Sequence, residues 1–403
     1  MTYDFETLPE RRGHDALALD AIGAGDGFAP LGPGEGFDAI PMWVADMNFA
    51  VCPTVTAAIE ERLRYPTFGY FAPRQEYFDS IIRWHSLRNG VSGLEPRHIG
   101  YENGVLGGIV STLNVLCSRG DNVLLHSPTY IGFTHALEQN GYNMVLSPLR
   151  RDGAGVWRMD FEDMEKKIVS DRIHAAVFCS PHNPCGRVWE RWEIERAMEI
   201  FERHGVWVIS DEIWSDILLN GSRHIPTQSV SPYAREHTAA MYAPSKTFNL
   251  AGLIGSYHII YNDWLRDRQE KEAALSMYNS MNVLSMHALI GAYRPEGHLW
   301  ADELCQVLSG SVNFACDFIS RRFEGVSLAK PQGTYMLFLH CEDLCRSRGI
   351  SLDELMKMGT DVGVCWQDGR PFHDDWGIRM NLALPRRKVE EAFRRLDKYV
   401  FNP

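Results

Sequence analysis

One lysine stands in the run Ala243-Pro244-Ser245-Lys246-Thr247-Phe248-Asn249-Leu250-Ala251-Gly252-Leu253, and no other charge accompanies it. Apolar neighbours desolvate an ammonium and lower its pKa, which makes a neutral, nucleophilic amine available for a Schiff base. A surface lysine in a loop is the other reading of this run taken alone. Thr238 to Ala243 reads as a short, largely apolar strand, so Lys246 is expected at a strand's end. Asp211 closes the apolar run Val206-Trp207-Val208-Ile209-Ser210, which puts a carboxylate at the carboxyl end of a buried strand, where open α/β sheets place ligands. Asn183 follows a further strand, Ala175 to Cys179, within Pro181-His182-Asn183-Pro184. The spacings, 211 − 183 = 28 and 246 − 211 = 35 residues, suit strand-to-strand repetition.

This ordered Asn, Asp and Lys resembles the pyridoxal-phosphate (PLP) enzymes of the aspartate-aminotransferase fold, fold type I. The resemblance implies that Lys246 carries the cofactor as a Schiff base, that Asp211 partners the pyridinium nitrogen, and that Asn183 donates to the ring's phenolic oxygen. It also implies an α/β fold: a large domain with a mainly parallel seven-stranded sheet between helices, plus a smaller α+β domain. A more specific signal is Pro41-Met42-Trp43-Val44-Ala45-Asp46-Met47-Asn48-Phe49, which looks like the signature of the MalY/PatB group of cystathionine β-lyases and related C–S lyases. By that resemblance Trp43 and Ala45 lie beside the substrate.

These residues must be held by a sizeable scaffold. At 403 residues, with 45% hydrophobic and 11% aromatic content, the chain is long for one core and can bury a large one. Residues 1–47 read as an arm associated with the smaller domain, 48–288 as the cofactor-binding domain and 289–403 as the small domain. Strand and helix patterns alternate from Asn122 to Ser210, the mark of a mainly parallel sheet covered by helices. After the strand Gly255 to Tyr261, helical segments are expected from Trp264 to about Tyr278. The long helical pattern His298 to Phe323 then leads to strands at Thr334 to His340 and Ile378 to Leu384. Net charge is −12 with basic residues dispersed, which argues against nucleic acid as the main partner. Nine irregularly spaced cysteines and an acidic amino terminus point to a reduced, cytoplasmic protein, and no apolar run approaches the roughly 20 residues of a membrane span.

Further positions match the family. Asn103-Gly104-Val105-Leu106-Gly107-Gly108 opens a helical pattern, and free amides at a helix start receive anions, so Gly104, Val105 and Leu106 are expected to hold the cofactor phosphate with help from the Ser245 hydroxyl. Tyr130, after the strand Asn122 to His126, stands where relatives stack a tyrosine on the pyridine ring; a core tyrosine is the competing reading. Phe68-Gly69-Tyr70 resembles the segment that sends a tyrosine across a homodimer interface to the partner's phosphate, and otherwise reads as a turn with a packed aromatic. Arg379-Met380-Asn381-Leu382-Ala383 resembles the Arg-x-Asn-x-Ala of fold type I. Its guanidinium grips the substrate's α-carboxylate with two parallel bonds, with Asn183 sharing it. An exposed strand arginine is the plainer alternative.

Four positions depart from the relatives, and the last two, in stretches near the substrate entrance in relatives, bear on substrate identity rather than on the cofactor. Trp214 takes a cofactor-side position where relatives have Tyr or His, Ile254 stands where many aminotransferases have a phosphate-binding Arg, Asn48 replaces an Asp, and Gly13 to Leu19 differs from the family's amino-terminal segment. His182 and Cys185 lack a second ligand pair for a metal, His373-Asp374-Asp375 reads as a solvated turn, and no Gly-x-Ser-x-Gly hydrolase turn is present. The expected reaction is α,β-elimination from cystathionine or another cysteine S-conjugate. Lys246 removes the α-proton, a thiolate leaves, and pyruvate and ammonia follow. An aminotransferase would use the same residues, and a scaffold protein that only binds partners would lack the cofactor chromophore.

Overall fold

The structure, a computed structural model, describes residues 1–25, 27–276 and 279–402. Three strands are buried along almost their whole length, Ala175–Cys179, Trp207–Asp211 and Thr238–Tyr242, and they form the middle of a seven-stranded sheet. Strands covered on both faces show continuous burial rather than alternation, because neither side meets water. The other members are Ile99–Glu102, Asn122–Ser127, Asn143–Pro148 and Ser256–Ile259. The spatial order is 99–102, 256–259, 238–242, 207–211, 175–179, 122–127, 143–148. Pairing is parallel except at 256–259, which runs antiparallel to both neighbours. Cys179 lies opposite Asp211 and Asp211 opposite Met241, so the residues that follow these three strands emerge together at one edge of the sheet.

Helices on the sheet begin and end where local chemistry dictates. Phe161–Ser170 starts at Asp160, whose side chain accepts from the Asp163 amide at 3.2 Å. Arg191–His204 opens with a Glu190–Glu193 capping box and stops at Gly205, whose φ of 67° is the left-handed conformation that closes a helix without a Cβ penalty. The expected helical stretch from Trp264 is the helix Asp263–Ser276, and its expected end at Tyr278 lies outside the described residues. Among the helices not anticipated from the sequence are Ile131–Gln139 and Val283–Ala292. The second is buried from Ser285 to Ala292 apart from His287, so no polar face marks its turns. It packs against Pro53–Leu63 at Gly291, where a Cβ would stand 2.4 Å from the Thr54 carbonyl oxygen.

A second, antiparallel sheet has the order Ser327–Leu328, Met336–His340, Gly377–Asn381, Gln367–Asp368. The segment Ile40 to Phe49 contributes only Ile40–Pro41 as strand, paired in parallel with Val364–Cys365. Most of the remainder is irregular because side chains take its carbonyls: Asn381 Nδ2 donates to Val44 O at 2.7 Å and Asp46 O at 2.5 Å, and Asn249 Nδ2 to Met47 O at 2.9 Å. One buried cluster runs from Phe5 and Phe49 through Trp84, Phe248 and Trp300 to Trp366, Leu382 and Phe401, so the two sheets share a core. In the expected solvated turn His373 and Asp375 are exposed, while Asp374 accepts from His340 Nδ1 at 3.0 Å and the Trp376 amide at 3.0 Å. All nine cysteines are free thiols, and among the described residues no helix is long and apolar enough to cross a membrane.

Candidate active site

The carboxyl ends of the three central strands open into a cavity of about 240 Å³. Ala45, Gly104, Val105, Leu106, Tyr130, Asn183, Asp211, Trp214, Ser245 and Lys246 all reach its wall, so the structure brings together most of the residues singled out by spacing and motif. Lys246 lies just past the Thr238–Tyr242 strand, in a turn closed by Phe248 N to Pro244 O at 2.8 Å and Leu250 N to Ser245 O at 3.0 Å. Its Nζ donates to the Ala45 carbonyl at 2.8 Å and lies 5.6 Å from the centre of the Trp214 ring. Burial, with the Arg379 charge adding to it, lowers the Lys246 pKa to about 8, against the opposing pull of Asp46 and Asp211. An amine in that condition is partly neutral near physiological pH and able to take a proton.

Asp211 is 4% exposed, and its Oδ1 accepts from the Ile213 amide at 3.0 Å. No cation pairs with it among the described residues, and burial pushes its carboxyl up to about 7. A buried carboxylate with one donor is under-compensated. A cationic ring nitrogen in the cavity would supply the missing partner, so this end of the site fits the pyridine of PLP.

Arg379 is 2% exposed, not the exposed strand residue of the plainer reading. Its guanidinium donates to Asn183 Oδ1 at 3.2 Å, to the Trp43 carbonyl at 3.3 Å and to Gln367 Oε1, and lies 4.5 Å from the centre of the Phe372 ring. Its Nε has no partner and no carboxylate pairs with it among the described residues; burial lowers its pKa to about 10. A buried guanidinium without a counter-ion fits a ligand carboxylate. Asn183 therefore spans from Arg379 to the cavity. Gln367 and Phe372 were missed in the sequence, where nothing beside them in the chain marks them.

At the other end, Gly104 takes a φ of 84° and caps the helix Val105–Leu116, leaving the first-turn amides of Val105, Leu106 and Gly107 without intrahelical acceptors. This is a receptor for an anion that needs no cationic side chain. Ile254 lies here with a φ of 47°, a left-handed conformation rare for a β-branched residue, and its carbonyl accepts from Tyr101 Oη at 2.9 Å. Tyr130 is seated against Phe133 with ring centroids 5.3 Å apart, and a Cβ at Gly132 would stand 2.4 Å from its ring.

Two expected residues sit elsewhere. The Trp43 indole turns away from the cavity because its N–H finds the Ala18 carbonyl at 2.9 Å and its ring packs on Phe28, so Trp43 reaches the site only through its carbonyl. Tyr70 is fully exposed on a segment without regular structure and does not line this chain's cavity. The sequence also concealed what holds Ala45 over Lys246. Tyr335 Oη donates to the Ala45 carbonyl at 3.1 Å, and Arg11 pairs with Asp46 at 2.6 Å and reaches Asn48 Oδ1 at 2.9 Å.

The chain is 34% identical to cystathionine β-lyase PatB of Bacillus subtilis over 397 residues, 98% of each chain. A PLP-bound putative aminotransferase from Clostridium difficile superposes over the whole of both chains with a TM-score of 0.90 at 30% identity. A PLP-bound C–S lyase from Staphylococcus hominis covers 99% of this chain and 98% of its own with a TM-score of 0.89 at 28% identity. The family model for class I and II aminotransferases matches residues 40–396, and with this fold and this strand-edge site the chain belongs to that family.

Proposed function

We propose that this protein is a PLP-dependent C–S β-lyase that cleaves cystathionine or another cysteine S-conjugate to a thiol, pyruvate and ammonia. The observation that carries the reading is the pair of uncompensated buried charges flanking Lys246. Among the described residues Asp211 lacks a paired cation and Arg379 a paired carboxylate, complementary to a pyridinium and an amino acid's α-carboxylate.

Lys246 would hold the cofactor covalently, Asp211 its ring nitrogen, Tyr130 its face, and Gly104, Val105, Leu106 and Ser245 its phosphate. Bound there, PLP supplies a sink for the electron pair left on the α-carbon. Arg379, aimed by Asn183 and Gln367, orients the α-carboxylate. The Lys246 amine, held beside the Ala45 carbonyl, takes the α-proton and can return it to the departing sulfur. Asp211 keeps a proton on the ring nitrogen by answering it with a buried negative charge.

The lyase reading is favoured over transamination by the full-length similarity to PatB and by Ile254, an aliphatic side chain at the phosphate end. An aminotransferase remains the second reading because the Clostridium difficile structure carries that description. The same proposal includes a homodimer in which Tyr70 serves the partner's phosphate site, a reduced cytoplasmic setting, and a division into 1–47, 48–288 and 289–403. To test it, purified protein is incubated with cystathionine, cystine and pairs of amino and 2-oxo acids, and pyruvate is followed against new amino acid. Pyruvate from an S-conjugate is expected many times faster than conversion of the cofactor to its amine form by alanine or glutamate. The reverse order, with glutamate faster, selects the aminotransferase.

A further inference from the structure

The segment that begins at Asp211 ends on a second buried carboxylate, Asp216, which the reaction does not use. Asp216 is 4% exposed and, unlike Asp211, is well supplied with donors. Trp84 Nε1 reaches its two oxygens at 3.2 and 3.3 Å, Arg88 Nε donates to Oδ1 at 3.0 Å, and Thr247 Oγ1 donates to Oδ2 at 3.1 Å. Trp84 and Arg88 stand four positions apart on the helix Gln75–Asn89, so one face of that helix presents both donors. Arg88 also reaches Asp302 at 2.9 Å, on the helix Pro295–Arg322. Between the two carboxylates Ser215 N donates to Glu212 O at 3.0 Å, and Ile217 N to Trp214 O at 3.0 Å. Ile213 and Trp214 line the cavity, so the short stretch from 211 to 216 forms wall and anchor together.

Thr247 follows Lys246 directly and is wholly buried. The bond from Phe248 N to Pro244 O spans four residues, one helical turn, and neighbouring side chains in such a turn point about 100° apart. Lys246 can therefore face the cavity while Thr247 faces the protein behind it. Asn249 ties the far end of the turn to the segment that carries Ala45, through its two bonds with the Met47 backbone at 3.0 and 2.9 Å. Thr247 ties the turn to the segment that carries Asp211. We propose that Asp216 and Thr247 are positioning residues for the Schiff base: their bond fixes the turn bearing Lys246 against the segment bearing Asp211, so that amine and carboxylate meet one ring, the first at its aldehyde and the second at its nitrogen. The bond needs only a hydroxyl at 247 and an acceptor at 216. The inference rests on the reading that this cavity binds PLP.

The test uses full-length apoprotein: wild type, Thr247→Val, which loses the hydroxyl at nearly constant shape, and Thr247→Ser, which keeps it. Each is titrated by calorimetry with PLP and with pyridoxamine phosphate, which has the same ring and phosphate but an amine in place of the aldehyde and so cannot bond to Lys246. Absorbance follows the Schiff base in the PLP titration. Thr247→Val is expected to weaken PLP by about fivefold, the scale of one hydrogen bond, and to leave pyridoxamine phosphate unmoved. Thr247→Ser should match the wild type with both ligands. A Thr247→Val that holds PLP as the wild type does, one that weakens both ligands equally, or a Thr247→Ser no better than Thr247→Val overturns the proposal. If Thr247→Val does not fold, Thr247→Ala carries the same comparison with the same expected outcome. A wild type that binds neither ligand removes the cofactor reading together with this one, whereas a wild type that binds both and a Thr247→Val that matches it removes this one alone.

Discussion

At the end of the cavity lined by Asp211 and Asn183, with Arg379 bonded to Asn183 behind the wall, these side chains are 4%, 3% and 2% exposed and are packed by this chain alone. At the end lined by Gly104 to Gly107, the same chain leaves Ile254 53% exposed and the tyrosine expected to serve it, Tyr70, entirely in the open. The ring end depends on charge. Buried groups without counter-ions shift their pKa and wait for a ligand of opposite sign, so their placement has to be enclosed. The phosphate end depends on backbone amides, which carry no net charge and tolerate solvent. Beside Tyr70 in the chain, Tyr65, Phe68 and Phe71 are also exposed, an apolar segment of the kind that a second chain covers. In the homodimer proposed above, the chemistry is built within one chain and cofactor anchoring is completed by the other.

The sharpest way to break this contrast is at its centre. Lys246→Ala removes the Schiff base and the proton acceptor together, and turnover should fall by about 10³-fold or more, with weak cofactor binding. Turnover near the wild-type level, measured by pyruvate release, would end the ring-end assignment. Arg379→Lys keeps the charge but loses the planar fork, and should reduce kcat/KM by about 1.5–3 kcal/mol with the ratio of elimination to transamination unchanged. A shift in that ratio would mean that Arg379 does more than hold the carboxylate.

At the phosphate end the effects should be milder and should cross between chains. Tyr70→Phe is expected to weaken cofactor retention by about 1 kcal/mol, one hydrogen bond. Mixing Lys246→Ala chains with Tyr70→Ala chains should raise cofactor retention above the average of the two parents, because half of randomly paired two-fold dimers regain one intact site, about a quarter of the wild-type number. No recovery on mixing would place Tyr70 outside a shared site.

The smallest effect concerns the cofactor-free protein. Burial pushes Asp211 up to about 7 from the usual carboxylate range, so between the two the folded state keeps a proton that the unfolded chain has released. Stability then falls as pH rises through that window, the opposite of a salt-bridged carboxylate. Asp211→Asn should lose this part of the slope, and the difference in apoprotein Tm between variant and wild type should grow from pH 4 to pH 7. A constant difference would show that Asp211 is compensated in the absence of ligand.

Asn183, Asp211 and Lys246, and the strand that each follows, were legible in the sequence because a buried strand is a local signal, a short apolar run closed by polar or turn residues. The helix start at Gly104 was legible from its glycines between a strand and a helix pattern, and Arg379 only through the resemblance of its motif to that of fold type I. What the sequence could not carry is how polar groups are matched across the fold. Lys246 meets the Ala45 carbonyl 201 positions away, Arg379 meets the Trp43 carbonyl 336 away, and His258 meets Glu102 156 away. The direction of the Trp43 indole is decided by an acceptor at Ala18, 25 positions away. The sequence by itself determined which residues stand at the strand ends. The tertiary structure alone decided which of their charges are answered and which are left for a ligand, since the energy of a buried charge depends on what packs against it rather than on its neighbours along the chain.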